Sequence, residues 1–518
     1  LSQTLGDLVK RNARNYPDKR AVVFEDSVLT HRELNERANR LANALIAMGV
    51  RKGDRVAVLA FNCIEYIEIY FGIAKTGGIA DLLNFMLKPG ELEYVINYTG
   101  ARVLILQSEF LEAIQSVRDN LNVEKYIILG GQADGMEPYE DLLSKGSVVE
   151  PNVPISPTDD AFIYFTGGTT GKPKGVPLSH RNIIANTVNS IIEAGTKRTD
   201  SYLVTTPIFH LAAGANIFFA AYMGCKMVIC KSFDPEKTLY LTQEEKITNV
   251  LLVPTMVNAV LQVSDFNKYD LSSMKLITYG AAPMPIEVLR QGLERFPCGF
   301  MQLYGQTEAG PCMTILPPEE HVLDGDERWV KKLGSAGRPI INCEVRVVGD
   351  DGKEVGIGEV GEIIGQSEAI ARGYWEKPED TAETFAGGWL RTGDMATVDE
   401  DGYIYIVDRK KDMIISGGEN IYPREIEEII YQHPAILECS VIGVPDDYWG
   451  ENVKACVVLK PGQNATEEEL IQFCKDNLAT YKKPKSVEFL DELPKSPQGK
   501  ILKRELKQKY WEGRTRQV

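Results

Sequence analysis

What this chain lacks narrows it first. It has five histidines among 518 residues and no HExxH pattern, so its chemistry does not point to a transition metal. Its nine cysteines (Cys63, Cys225, Cys230, Cys298, Cys312, Cys343, Cys439, Cys456 and Cys474) form no CxxC pair, and their number is odd. Most sit among apolar neighbours, as Cys230 does after Met227-Val228-Ile229. That pattern excludes a disulfide frame and fits reduced core thiols, so a cytoplasmic location is expected. No Gly-x-Ser-x-Gly elbow announces a serine nucleophile. No uninterrupted apolar run reaches the length of a membrane span, and no signal-peptide pattern is visible. Positive charge is in short supply: 57 Lys and Arg stand against 73 Asp and Glu, a net charge of −16. A nucleic-acid partner is therefore not expected. The basic residues that exist crowd the C-terminus, from Lys482, Lys483 and Lys485 through Lys495, Lys500 and Lys503 to Arg504, Lys507 and Lys509. They form either a solvated face or a site for anionic ligands.

What is there is ordinary globular material, 44% hydrophobic and 25% charged, in a chain too long for one core. Leu34, Ala38, Leu41, Ala42 and Leu45 fall at helical spacing, with a stop at Arg51-Lys52-Gly53-Asp54. Residues 55–60 and 101–106 read as strands on either side of a helical stretch from Tyr66 to Ala74. This rhythm predicts an α/β fold, with parallel-type sheets covered by helices in a large N-terminal domain. From about 340 to 408, short strands alternate with Gly/Asp turns and predict a small antiparallel unit. A fresh pattern follows: a strand, a helix over 423–432, strands over 439–444 and 453–459, a helix over 466–478, a strand over 486–490 and a helix over 500–511. It predicts a small α+β C-terminal domain. The proline-rich stretch 151–157 is a connector.

The most informative segment follows that connector. Tyr164 to Val176 holds four glycines, three threonines and two lysines, just after the strand-like 161–165. Such a loop offers N–H groups, hydroxyls and ammonium groups to a polyphosphate. It is not a Walker A loop: Thr166 stands where the first glycine belongs, and Pro173 follows Lys172 where a hydroxyl residue is required. Taken alone, it is either a phosphate cradle or a surface loop.

Further clusters follow strands in order: Gly280-Ala281-Ala282-Pro283, then Tyr304-Gly305-Gln306-Thr307-Glu308, then Trp389-Leu390-Arg391-Thr392-Gly393-Asp394. Small residues let a flat ring approach the backbone, a carboxylate can hold Mg²⁺, and another can accept ribose hydroxyls. Together with the loop, in this order, they resemble the adenylate-forming superfamily of acyl-CoA synthetases, luciferases and peptide-synthetase adenylation domains. The resemblance runs nearly the whole length and is closest to fatty-acid and related acyl-CoA ligases. The family loop commonly reads Thr-Ser-Gly-Thr-Thr-Gly; here Gly167 replaces the serine.

The resemblance implies two half-reactions that use ATP, Mg²⁺ and coenzyme A, with roles for matching positions. Thr166, Gly167, Gly168, Thr169, Thr170, Gly171, Lys172 and Lys174 would hold the β- and γ-phosphates. Gly280, Ala281, Ala282, Pro283, Tyr304 and Gly305 would hold adenine. Thr307 would touch phosphate, Glu308 would bind Mg²⁺, and Asp394 and Arg409 would bind ribose. Lys500 would bridge the carboxylate and the α-phosphate, with His210 flanking the acyl carboxylate. Residues 1–408 would form the ATP- and acyl-binding domain, 409–412 a hinge about Lys411, and 413–518 a mobile domain. Gly417, Gly418 and Glu419 would line the pantetheine tunnel, and Trp449, Tyr481 and Lys483 would contact the CoA nucleotide. Met86 departs from relatives that place a phosphate-binding arginine there. Lys500 and Mg²⁺ would spread charge as an anionic carboxylate attacks an anionic phosphate.

Amino-acid-activating relatives carry an aspartate near Phe209-His210-Leu211; none stands there. The small apolar run from Leu211 to Ala220, with Gly214 in its middle, fits either an acyl channel or a packed helix. The expected acid is a medium- or long-chain fatty acid, with an aryl or alicyclic carboxylate as alternative. A luciferase-like oxygenase and a non-catalytic binding relative are the other classes. Glu308, Asp394, Arg409 and Lys500 together argue against the last. A long-chain acid would also bring the enzyme into weak peripheral contact with membranes.

Overall fold

The computed structural model describes residues 3–166, 172–409, 412–417, 419–497 and 499–512. Two large, mostly parallel sheets carry the first three hundred or so residues, as the sequence rhythm predicts. The seven-stranded sheet runs, in spatial order, through Glu137–Pro138, Lys125–Leu129, Val103–Gln107, Arg55–Leu59, Ile79–Leu82, Asp160–Thr166 and Lys174–Ser179. Its last pair is antiparallel, with Thr166 opposite Lys174. The nine-stranded sheet is parallel from Gly299–Tyr304 through Leu276–Gly280, Asn249–Leu251, Ser201–Val204 and Lys226–Ile229 to Arg20–Phe24, with antiparallel strands on both edges.

Parallel strands need helical crossovers, and those helices fill the layer between the sheets. The helix His31–Ala47 is started by Thr30, whose side chain accepts from the Glu33 N–H while Glu33 reaches back. Its buried stripe of Leu34, Ala38, Leu41 and Leu45 meets the helix Ile64–Thr76, which is buried on nearly every side. Gly72 lets Leu41 pack closely: a Cβ there would lie 2.7 Å from the Leu41 Cδ2. The helix Leu211–Met223 is likewise buried, capped by His210.

The chain then forms an antiparallel sheet of Cys343–Val348, Gly361–Ser367, Leu390–Val398 and Ile404–Arg409. After it, Ile414–Ser416, Glu419–Ile421, Ile436–Asp446, Gly450–Leu459 and Ser486–Phe489 make a smaller sheet with its own core of Ile414, Ile426, Ile430, Val441 and Val457. The result is the expected α/β fold: a large N-terminal domain of mixed sheets and helices, then a smaller C-terminal domain.

One element departs from expectation. The last helix runs Lys503–Trp511, beginning three residues later than the pattern implies. The Ser496 N–H donates to the Lys500 carbonyl at 2.8 Å, and Lys495 bridges Ile501, so Lys500 sits in a tight turn before the helix.

Candidate active site

The pairing of Thr166 with Lys174 fixes both ends of the glycine–threonine segment. Gly167, Gly168, Thr169, Thr170 and Gly171 lie outside the described residues. Lys172 holds its ammonium 4.7 Å from the centre of the Tyr94 ring. Lys174 pairs with Asp380 and stands 4.9 Å from the Tyr374 ring. Tyr374 in turn donates its hydroxyl to Glu308 Oε1 at 2.8 Å, while the Glu308 carbonyl accepts from the Ala371 N–H at 2.9 Å. The segment 371–375 thus ties the phosphate loop to Glu308. Nothing in the sequence reading singled out Tyr374 or Asp380; the Arg372-Gly373-Tyr374-Trp375 run, rich in backbone-contacting types, was the available signal.

Thr307 and Glu308 form a short buried turn after the strand Gly299–Tyr304. Among the described residues no three His, Cys, Asp or Glu side chains surround a metal position. A magnesium ion asks for only one or two carboxylates when phosphates complete its shell, so the buried, oriented Glu308 fits that need.

At the nucleoside end, Gly280 and Gly305 are small for a reason internal to the fold. A Cβ on Gly280 would lie 2.2 Å from the Leu303 carbonyl, and one on Gly305 would lie 2.0 Å from the Pro311 carbonyl. The chain itself fills the room that the sequence reading reserved for a ring. Ala281 takes a left-handed φ of 65° as the chain leaves its strand toward Ala282 and Pro283. Tyr304 donates its hydroxyl to Asp394 Oδ2 at 2.9 Å, and Arg409 Nε lies 3.2 Å from Asp394 Oδ1. Burial, and then the Asp394 charge, push the Tyr304 hydroxyl pKa up, so it remains a donor. A carboxylate has about four acceptor positions, which leaves Asp394 capacity for two more hydroxyls.

His210 opens the helix Leu211–Met223 and accepts the Ala212 N–H at Nδ1, 3.3 Å away. Its proton is therefore on Nε2. Burial, and then the charge of Lys500, lower its pKa to about 4, so it is a neutral donor at pH 7. Lys500 is brought there by its turn: Thr255, at the start of the helix Pro254–Leu261, donates to the Gly499 carbonyl at 2.9 Å. No sequence pattern marks Thr255. Phe209 packs edge-on to Phe85 at 5.2 Å, and Phe85 meets Phe61 at 4.7 Å. The neighbouring Met86 is 58% exposed.

The open side of Gly214 faces Tyr164 and Tyr70, whose hydroxyls lie 2.6 and 3.2 Å from where a Cβ would be. The flank carrying Asn216 and Phe219 meets open space. There a mostly enclosed cavity lies between this helix and the strands, lined by Thr278, Met301 and Leu303 among others. Its free space of about 10 Å³ is close to what one water needs.

Of the positions carried over for CoA, Gly417 has φ 62° and lies under Trp449: a Cβ would stand 2.5 Å from that ring. Trp449 remains 45% exposed and meets Tyr448 edge-on at 4.7 Å. Glu419 and Tyr481 are exposed, and Lys483 is half-buried. Lys411 and Gly418 lie outside the described residues.

Residues 9–375 match the family model described as AMP-binding enzyme, and residues 425–500 match that of the AMP-binding enzyme C-terminal domain. The chain is 39% identical to a feruloyl-CoA synthase of Amycolatopsis sp over 98% of this chain and 99% of that one. It is 35% identical to a long-chain-fatty-acid–CoA ligase of Mycobacterium tuberculosis, over 98% and 99% of the two chains. An anthranilate CoA ligase solved with anthranoyl-AMP superposes with a TM-score of 0.92 at 32% identity, covering 99% of this chain and 98% of that one.

Proposed function

This chain belongs to the AMP-binding enzymes, as an AMP-forming acyl-CoA ligase that uses ATP, Mg²⁺ and CoA, and on that premise we propose that its acid is a compact aromatic carboxylate. The observation that carries this reading is the likeness to enzymes named for aromatic acids: 39% identity to a feruloyl-CoA synthase and a TM-score of 0.92 to an anthranilate CoA ligase. The fatty-acid reading keeps supports of its own: 35% identity to the Mycobacterium tuberculosis ligase, 37% to a long-chain-fatty-acid–CoA ligase of Bacillus subtilis, and a TM-score of 0.78 at 33% identity to a fatty acyl CoA synthetase.

In the first half-reaction the carboxylate oxygen attacks the α-phosphorus, and the bond to pyrophosphate breaks. Mg²⁺, when bound at Glu308, supplies positive charge for the departing pyrophosphate. Lys500 holds carboxylate and phosphate together, which removes their mutual repulsion and fixes the line of attack. His210, neutral, donates from Nε2 to orient the acyl group without offering a competing charge. Tyr304, hydrogen-bonded to Asp394, and Arg409, ion-paired with it, hold the nucleoside together. In the second half-reaction the CoA sulfur attacks the acyl carbonyl and AMP leaves. We propose that residues 409–412 act as the hinge between the two arrangements, with the half-exposed Trp449 and the Gly417 turn receiving CoA.

The test is AMP release with benzoate, a hydroxylated cinnamate, octanoate and palmitate in parallel. The reading expects kcat/KM for at least one aromatic acid to exceed that for palmitate by tenfold or more. A preference for palmitate of that size would return the fatty-acid reading.

A further inference from the structure

Asn216 lies six residues, about 1.7 helical turns, beyond His210 and is only 4% exposed. Among the described residues its side-chain amide has no hydrogen-bond partner. It is not sealed within protein as the orphaned Nδ2 of Asn189 is, and the open space it faces is the cavity. A buried amide without a partner costs stability, so its persistence asks for an explanation. Most other polar groups of the lining are engaged, although the Asn249 Nδ2 likewise has no hydrogen bond among the described residues. The Tyr202 hydroxyl meets Thr196 at 2.8 Å, Ser190 donates to Asn186 at 3.3 Å, Thr278 donates to the Val250 carbonyl at 3.4 Å, and Asn249 Oδ1 accepts from Thr248 at 2.6 Å.

The cavity lies in line with the reacting end. Thr278 is two residues before Gly280 on one strand, and Leu303 is two before Gly305 at the end of the next. Residues two apart share a face of a sheet, and two residues span about 7 Å. The cavity therefore sits about 7 Å deeper than the loops that hold the nucleotide, a depth an aromatic ring fills.

We propose that Asn216 is a specificity-determining residue that recognises a hydroxyl-sized polar substituent on the far end of an aromatic acid. This rests on the aromatic-acid reading above. The amide can donate to or accept from a hydroxyl, and the space admits one water or one such group. A site built to hydrogen-bond a hydroxyl discriminates strongly against the analogue that lacks it, because the buried amide is then left unpaired.

The experiment compares a para-hydroxylated phenylpropenoic acid with its unsubstituted parent in wild type, Asn216→Leu and Asn216→Ala. The readout is the ratio of the two kcat/KM values for pyrophosphate release, with melting temperatures to check folding. Wild type is expected to favour the hydroxylated acid about tenfold or more. The ratio falls to near one in Asn216→Leu, and part of the way in Asn216→Ala, where water can take the amide's place. A wild-type ratio near one, or variants that keep the wild-type ratio, overturns the role of Asn216 while leaving the aromatic-acid reading intact. Activation of fatty acids alone overturns both.

Discussion

Lys500 and His210 are 290 residues apart along the chain, and the charge of the first helps keep the second neutral. Replacing Lys500 by alanine is expected to slow acyl-adenylate formation by about a hundredfold or more. Thioester formation from supplied acyl-adenylate should persist, because that step needs no bridge to phosphate. Equal loss in both half-reactions, measured separately, would assign Lys500 a different task. At this scale the sequence was informative wherever a side chain acts through its own chemistry: Asp394 accepts a hydrogen bond from Tyr304 and pairs with Arg409. It was less informative about glycines. Gly280 and Gly305 are dictated by carbonyls of the chain itself, and Gly214 by two buried tyrosines, none of them neighbours in sequence. Tyr374 and Asp380 escaped because their partners, Glu308 and Lys174, lie far away along the chain.

Among the elements, the turn holding Lys500 is fastened to the helix Pro254–Leu261 by the Thr255 hydroxyl. Thr255→Val keeps the shape and removes the donor. One hydrogen bond contributes about 1 kcal/mol, so adenylate formation is expected to fall roughly fivefold with the thioester step unchanged. Rapid-quench measurement of each step checks this. On the proposed hinge, Lys411→Pro is expected to act in the opposite sense, sparing adenylation and blocking the thioester step by fixing the backbone at that position. The strand–helix rhythm was legible because apolar spacing marks each element. The start of the last helix was not, since the turn that delays it is set by Ser496 bonding back to Lys500. The regular residue types after Lys500 hide that turn.

For the molecule as a whole, two mostly parallel sheets followed from the alternating pattern, whereas the burial of ionisable groups did not. His31, His180, His210 and His321 are each lowered, first by burial, to about 4. Unfolded, they take up protons near pH 6.5; folded, they do so only near 4. Asp81 and Glu68 run the other way, raised to about 7 by burial, against the pull of Arg37 in the case of Glu68. Between about pH 4.5 and 6 the four histidines outweigh the two carboxyls, and the unfolded chain binds more protons. Stability therefore rises with pH there, by roughly 2 kcal/mol per pH unit. Urea midpoints measured at pH 5 and 6 are expected to increase; a flat or falling series would contradict this protonation pattern. The cavity beside Asn216 carries a different kind of consequence. Its walls at Phe219, Met301 and Leu303 are side chains, while the nucleotide end leans on backbone carbonyls. Side-chain walls can be moved by single substitutions without disturbing the sheet. A lineage could thus drift between ring-shaped and elongated acids through Phe219 and Met301 while inheriting its energy-coupling machinery unaltered.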